Sequence, residues 1–262
     1  MQLLRLEIEN QLAVLSLNNP PQNRLSMQML DDFEEAINKI AASDIRVLVI
    51  RGDNGLFSYG GYFPEWVNMA TGEVRVLLES WLAVYNWLER LPYPVIASVP
   101  GPCWGGGFEL ALRCDMILAT PEATFNHPEE TLGITTLLGG VYRFAERAGK
   151  NIAGEMAYTA QALTAERMQQ LGVVNRLVEK DALEQETMKL AHSLANGPTL
   201  AHAAHKTLLR MWAQGGVQTA ENALIDLSVP LFDTEDVSVA LKSAAEALEK
   251  GVPRPILVFK GK

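Results

Sequence analysis

Between positions 45 and 180 of this 262-residue chain, short apolar runs alternate with segments of helical period, and that alternation limits the fold more than any other feature. "IRVLVIRG" (45–52), "VIASV" (95–99) and "DMILA" (115–119) are too short for helices and too continuously apolar for a sheet with one wet face. They read as strands buried on both sides, and the helical segments between them as crossovers that force a largely parallel sheet. "EVRVLLESWLAVYNWLERL" (73–91) is one such crossover, stopped by Pro92 and Pro94, and "AERMQQLGVVNRLVE" (165–179) combines a short helix, a glycine C-cap and a strand. Upstream, "LLRLEIE" and "LAVLSL" flank Asn10-Gln11 as a hairpin. "SMQMLDDFEEAINKIAAS" begins at a cap-type Ser26 and puts Met29, Leu30, Phe33, Ile37 and Ile40 on one stripe.

From about Lys180 the pattern is helical only. A thin layer of helices cannot hold a core by itself, so it must pack on the α/β part or on another subunit. Gly197-Pro198 is the expected boundary, giving a β/α core over 1–196 and a helical region over 197–262. The length suits one α/β core plus an appendage.

Net charge is −9 and no Lys/Arg cluster stands out, which argues against a nucleic-acid partner. No apolar run approaches the roughly 20 residues that span a bilayer, and the N-terminal stretch, with a charge every few residues, reads as strands rather than a leader. Cys103 and Cys114 lack a second pair or a nearby histidine at ligand spacing. They read as reduced packing thiols of a cytoplasmic protein, and no metal site is expected. Ser58 has no recognisable histidine partner, so a serine hydrolase is not expected either.

Chemistry concentrates in "GPCWGGGFELALRCDMILA" (101–119). Its glycines match neither the dinucleotide fingerprint nor the P-loop. What remains is a strand-to-helix turn with free backbone N–H groups at the positive end of a helix, suited to an oxyanion. "GLFSYGGYFPEW" (55–66) offers a second glycine turn, and one amide from each, converging, would make an oxyanion hole; two plain tight turns are the alternative. Glu109, in the first turn of an apolar helix, either answers the helix dipole or does chemistry. Glu129, after Pro128, either is a solvated loop acid or joins it. As a pair beside an oxyanion hole, one carboxyl would donate a proton while the other, ionised, activates water. His127 either tunes Glu129 or, as its loop position favours, faces solvent.

These residues, together with "NPPQNRLS" (19–26), "FSYGG" (57–61), "ATFNHPEETLGI" (123–134) and "TAERMQQLGVVNRLV" (164–178), stand in the order and spacing of the crotonase, or enoyl-CoA hydratase/isomerase, superfamily, which the whole chain resembles. The resemblance implies an α/β fold, a β/α spiral core with a helical C-terminal trimerisation region, working as a homotrimer or a dimer of trimers. It implies an acyl-CoA substrate, no cofactor beyond that coenzyme A, and no membrane partner. By position, the Gly61 and Gly106 amides would hold the thioester oxygen. Glu109 and Glu129 match the paired acids of hydratases, which favours addition of water over double-bond shifting, decarboxylation or silent acyl-CoA or RNA binding. Arg24 falls along the coenzyme A and either meets a phosphate or is a solvated turn residue.

Two departures bear on the substrate. Tyr62 stands where the family's oxyanion turn usually has Asp, and with Tyr59 and Trp66 it brings aromatic surface toward the acyl group. Leu137 stands where a glycine helps place the water, and its bulk can reshape the pocket or exclude that water.

Overall fold

The computed structural model describes residues 1–262. Strands β1 (Leu4–Glu9) and β2 (Leu12–Leu17) form the expected hairpin, and Asn10 and Gln11 both take positive φ, 49° and 64°, as a primed two-residue turn requires. The chain then runs through α1 (Met27–Ala41), β3 (Val47–Gly52), α2 (Thr71–Arg90), β4 (Val95–Val99), β5 (Cys103–Trp104), α3 (Gly106–Ala111), β6 (Met116–Ala119) and β7 (Thr124–Asn126). After these come α4 (Gly140–Ala148), α5 (Lys150–Thr159), β8 (Leu163–Thr164), α6 (Ala165–Gln170), β9 (Arg176–Leu177), α7 (Leu183–Ala195), α8 (Thr199–Ser228) and α9 (Glu235–Lys250).

The main sheet has six strands in the order β1-β2-β3-β4-β6-β9, and every pair from β2 to β9 is parallel. Its inner strands β2, β3, β4 and β6 are mostly apolar because both faces are covered there. Ala13, Leu15, Leu48 and Ile50 point into the larger core with α1 and α2, while Leu12, Val14, Val47 and Val49 point the other way, onto Leu183, Ala191 and Ala195 of α7. Ser26 caps α1 as expected, its Oγ accepting the Met29 N–H at 3.2 Å.

A second, three-stranded sheet, β5-β7-β8, stands apart from the first, and the sequence reading had missed β5 and β8. Two-residue strands carry no period. Helix α5 was missed as well, since it begins directly after the Gly149 that ends α4 and buries only Ala153 and Met156. The small sheet matters for function: β5 leads straight into the glycine turn before α3, and β7 into the segment that carries Glu129.

The C-terminal region is helical. α7 stops at Ala195 and α8 starts at Thr199, on either side of Gly197-Pro198. α8 breaks at Gly215-Gly216, where Gly216 has φ 74°. Ala204 is the only buried residue of α8, and Asp236 and Ala247 are the only ones of α9. Leu209, Trp212, Ile225, Phe232, Val239 and Leu241 lie exposed along this end.

Candidate active site

The two glycine turns meet. Gly60 has φ 81°, and a Cβ placed on it would lie 2.8 Å from the Gly106 nitrogen and 2.9 Å from the Trp104 carbonyl oxygen. Such contact is closer than any side chain tolerates, so glycine at 60 is what lets the two backbones touch. Leu25 forms a parallel bridge to Gly61, its N–H donating to the Gly60 carbonyl and its carbonyl accepting from Tyr62 N–H, both 2.9 Å. In that extended geometry the intervening Gly61 N–H points to the opposite side. Gly106 opens α3, so its N–H has no acceptor within the helix. Its carbonyl is fixed by Tyr85 of α2, whose buried hydroxyl donates to it at 2.7 Å.

Both acids lie on the same cavity as these glycines, a chamber of about 430 Å³ whose walls are mostly apolar. Glu109 is buried on α3, and its Oε1 accepts the Leu138 and Gly140 amides, each at 2.8 Å. Burial holds its carboxyl above the usual carboxylate range, a rise that the Gly140 and Leu138 amides and then Arg113 and Arg143 oppose without cancelling. Glu129 is buried too, in a 3-10 turn that Pro128 opens. Its Oε2 has no hydrogen-bond partner, and burial, with the nearby negative charge of Glu109, pushes its carboxyl up to about 8. At neutral pH Glu129 therefore holds a proton. Two carboxyls with different surroundings, one gripped by amides and one bare, are the arrangement that separates an acid from a base.

His127 does not face solvent. Its ring is buried 4.8 Å from that of Phe108 and 6.2 Å from that of Phe144, with Nδ1 3.8 Å from Glu129 Oε2. Residues 124–126 pair as β7, which carries the next residue inward. Burial brings the imidazole down to about 4, so it is neutral at the pH where Glu129 titrates.

Arg24 lines the cavity and commits two of its guanidinium nitrogens to the turn: Nε donates to Gln22 Oε1 at 2.7 Å, and Nη1 to the Tyr59 and Gly61 carbonyls at 3.2 and 3.0 Å. It braces the strand whose Gly61 amide faces inward, a role the sequence did not suggest. Tyr59, Trp66 and Leu137 line the chamber. Tyr62 does not. It is exposed and borders a separate groove with Asn19 and Pro20; Phe63, as exposed as Tyr62, borders both spaces, and Trp66 of the 3-10 turn Phe63–Trp66 lines the chamber. Ser58 is structural, donating to the Asn23 carbonyl and accepting from the Gly60 N–H. Tyr85 escaped the sequence reading because it sits on the apolar stripe of α2 like any core residue.

Over residues 7–255 the chain matches the family described as Enoyl-CoA hydratase/isomerase. It belongs to that family. A crotonyl-CoA hydratase from Syntrophomonas wolfei is 31% identical over 235 residues, 88% of this chain and 90% of the relative. Methylmalonyl-CoA decarboxylase of Escherichia coli is 28% identical over 243 residues, 90% and 92% of the two chains. Among solved structures, an enoyl-CoA hydratase subunit I from Geobacillus kaustophilus superposes with a TM-score of 0.88 at 30% identity, covering 99% of this chain and 98% of the other. This enoyl-CoA hydratase/isomerase family member is thus an enzyme with the crotonase fold, and none of its helices is long and apolar enough to cross a membrane.

Proposed function

We propose that this enzyme adds water across an α,β-unsaturated acyl-CoA thioester, and removes it in reverse. The observation that carries the reading is the pair of buried carboxyls, Glu109 and Glu129, on one cavity with the Gly61 and Gly106 amides. The thioester oxygen would accept hydrogen bonds from those two amides. Water attacks the β-carbon as its proton passes to the Glu109 carboxylate, the thioester becomes an enolate, and the Glu129 proton goes to the α-carbon. One proton has then moved from Glu129 to the product and one from water to Glu109, and exchange within the pair restores the starting state.

Decarboxylation of a malonyl-type thioester is the chemistry named for one relative, and the charge of the chamber disfavours it here. A second carboxylate brought by substrate would meet two acidic side chains, with Arg24, two of its nitrogens committed to the turn, the only cation on the walls. The reaction calls for no cofactor beyond the coenzyme A of the substrate. Tyr59, Trp66 and Leu137 would shape the acyl end, and Arg24 would act through the turn it braces.

The exposed apolar residues of α8 and α9 support assembly with further copies, as a trimer or a pair of trimers, and the two buried free thiols suit a cytoplasmic setting. A panel of enoyl-CoA esters, from crotonyl to branched and aromatic chains, tests the function. Hydration of at least one by the wild-type enzyme is expected, and double-bond migration without water uptake would make it an isomerase.

A further inference from the structure

We propose that Arg113 and Arg143, yoked by Glu89, are positioning residues that fix the Leu138–Gly140 backbone on Glu109 and thereby keep Glu109 the ionised member of the carboxyl pair. The inference rests on the reading of that pair as the acid and base of hydration, and it says what divides their roles.

The connection is continuous. Arg113 has its side chain only 1% exposed, and its Nη2 donates to the Leu138 carbonyl at 2.7 Å. Arg143 Nη1 reaches the Gly139 carbonyl at 3.4 Å. That carbonyl shares a peptide plane with the Gly140 N–H, which grips Glu109 Oε1, so a cation on one end of the peptide polarises the donor on the other. The Leu138 N–H grips the same oxygen from a residue whose carbonyl Arg113 holds. Behind them Glu89 binds both cations: Arg113 Nη1 at 2.8 Å, and Arg143 through the two-point fork Nε–Oε1 at 2.8 Å and Nη2–Oε2 at 2.7 Å. Arg113 Nη1 also donates to Asn86 at 2.7 Å, which holds it in register.

Two arginines and one glutamate leave this cluster one positive charge in excess, and both arginines reach the 138–140 segment that grips Glu109. The other ionisable groups facing Glu109 are Tyr85 from α2, His127 from the end of β7 and Glu129 from the 3-10 turn. Burial keeps Tyr85 protonated far above neutrality and brings His127 down to about 4, so between pH 5 and 8 only Glu129 changes charge beside it. Two like carboxyls in one chamber would otherwise share a proton without preference. The cluster breaks that symmetry, because Glu129 Oε2 has no such grip.

The test is carboxyl titration by NMR of enzyme carrying carbon-13 at the glutamate carboxyl, with the two signals assigned through Glu109→Gln and Glu129→Gln. Arg113→Gln should raise the Glu109 midpoint by about one pH unit. Glu89→Gln, which removes the anion of the cluster, should leave that midpoint unchanged or lower it. Arg143→Gln, at a partly exposed position, should shift it in the same direction as Arg113→Gln and serves where the latter fails to fold. The acid limb of kcat/KM should follow the same signs. A Glu109 midpoint within a few tenths of a pH unit of wild type in both arginine variants, or a rise in Glu89→Gln equal to theirs, would overturn the proposal. Because the titration needs no substrate, a wild-type enzyme that hydrates no enoyl-CoA would refute the functional reading and leave the titration to decide this one.

Discussion

A carboxyl group that keeps its proton at pH 7 inside a protein costs stability whenever the pH asks it to ionise, and Glu129 makes that cost measurable. Its folded-state midpoint of about 8 lies above that of an unfolded glutamate, so folding stability falls as pH rises from the ordinary carboxylate range toward 8. Glu129→Gln, which cannot ionise, should therefore raise the melting temperature at pH 8, by about 2–4 °C per kcal/mol recovered, and raise it less at pH 5. Calorimetry at the two values checks the sign. Activity has the complementary dependence: with Glu129 as proton donor, hydration should decline above pH about 8, and Glu129→Gln should abolish that alkaline limb. Arg24→Gln removes the brace on the Tyr59 and Gly61 carbonyls, and should lower kcat by roughly tenfold with little change in folding, read by steady-state kinetics.

At the level of elements, the device is a pair of strand-to-helix turns brought into backbone contact. Gly106 occupies the first position of α3, where proline is tolerated because the lost N–H has no helical acceptor. Gly106→Pro should cut kcat by about 10²- to 10³-fold through loss of one oxyanion donor. Gly106→Ala keeps the N–H and adds only the crowding of Leu25 Cδ1, 2.8 Å from the new methyl group, so the difference between the two variants isolates the donor. Much of this was legible beforehand. The Gly105–Gly107 run and Gly60–Gly61 announce tight turns by residue type, and Glu109 announces itself as an acid on an apolar helix. Glu129 and His127 were harder to place, because their burial depends on β7 pairing with β5 and β8, strands of two or three residues that leave no pattern in the chain. Arg113, Glu89 and Arg143 were invisible for another reason. They meet from α2, α4 and the turn that follows α3, and nothing local marks a charge as buried until those elements are packed.

For the molecule as a whole, a doubly covered parallel sheet supplies a rigid frame and leaves the helical end with unpartnered apolar surface. Leu209, Trp212, Phe232 and Leu241 are each at least 49% exposed, and the proposed assembly rests on this apolar surface. Light scattering coupled to size exclusion should give three or six times the chain mass, and a monomer at micromolar concentration would contradict that assembly. The central claim is narrower: two buried carboxyls, unequal in proton affinity, add water to a polarised enoyl thioester. It is tested most directly by following a conjugated acyl-CoA in oxygen-18 water with wild type, Glu109→Gln and Glu129→Gln. The wild type should place the heavy oxygen on the β-carbon, and each variant should do so about 10²- to 10⁴-fold more slowly. Turnover at the wild-type rate by both variants, or a wild-type product without heavy oxygen, would contradict it.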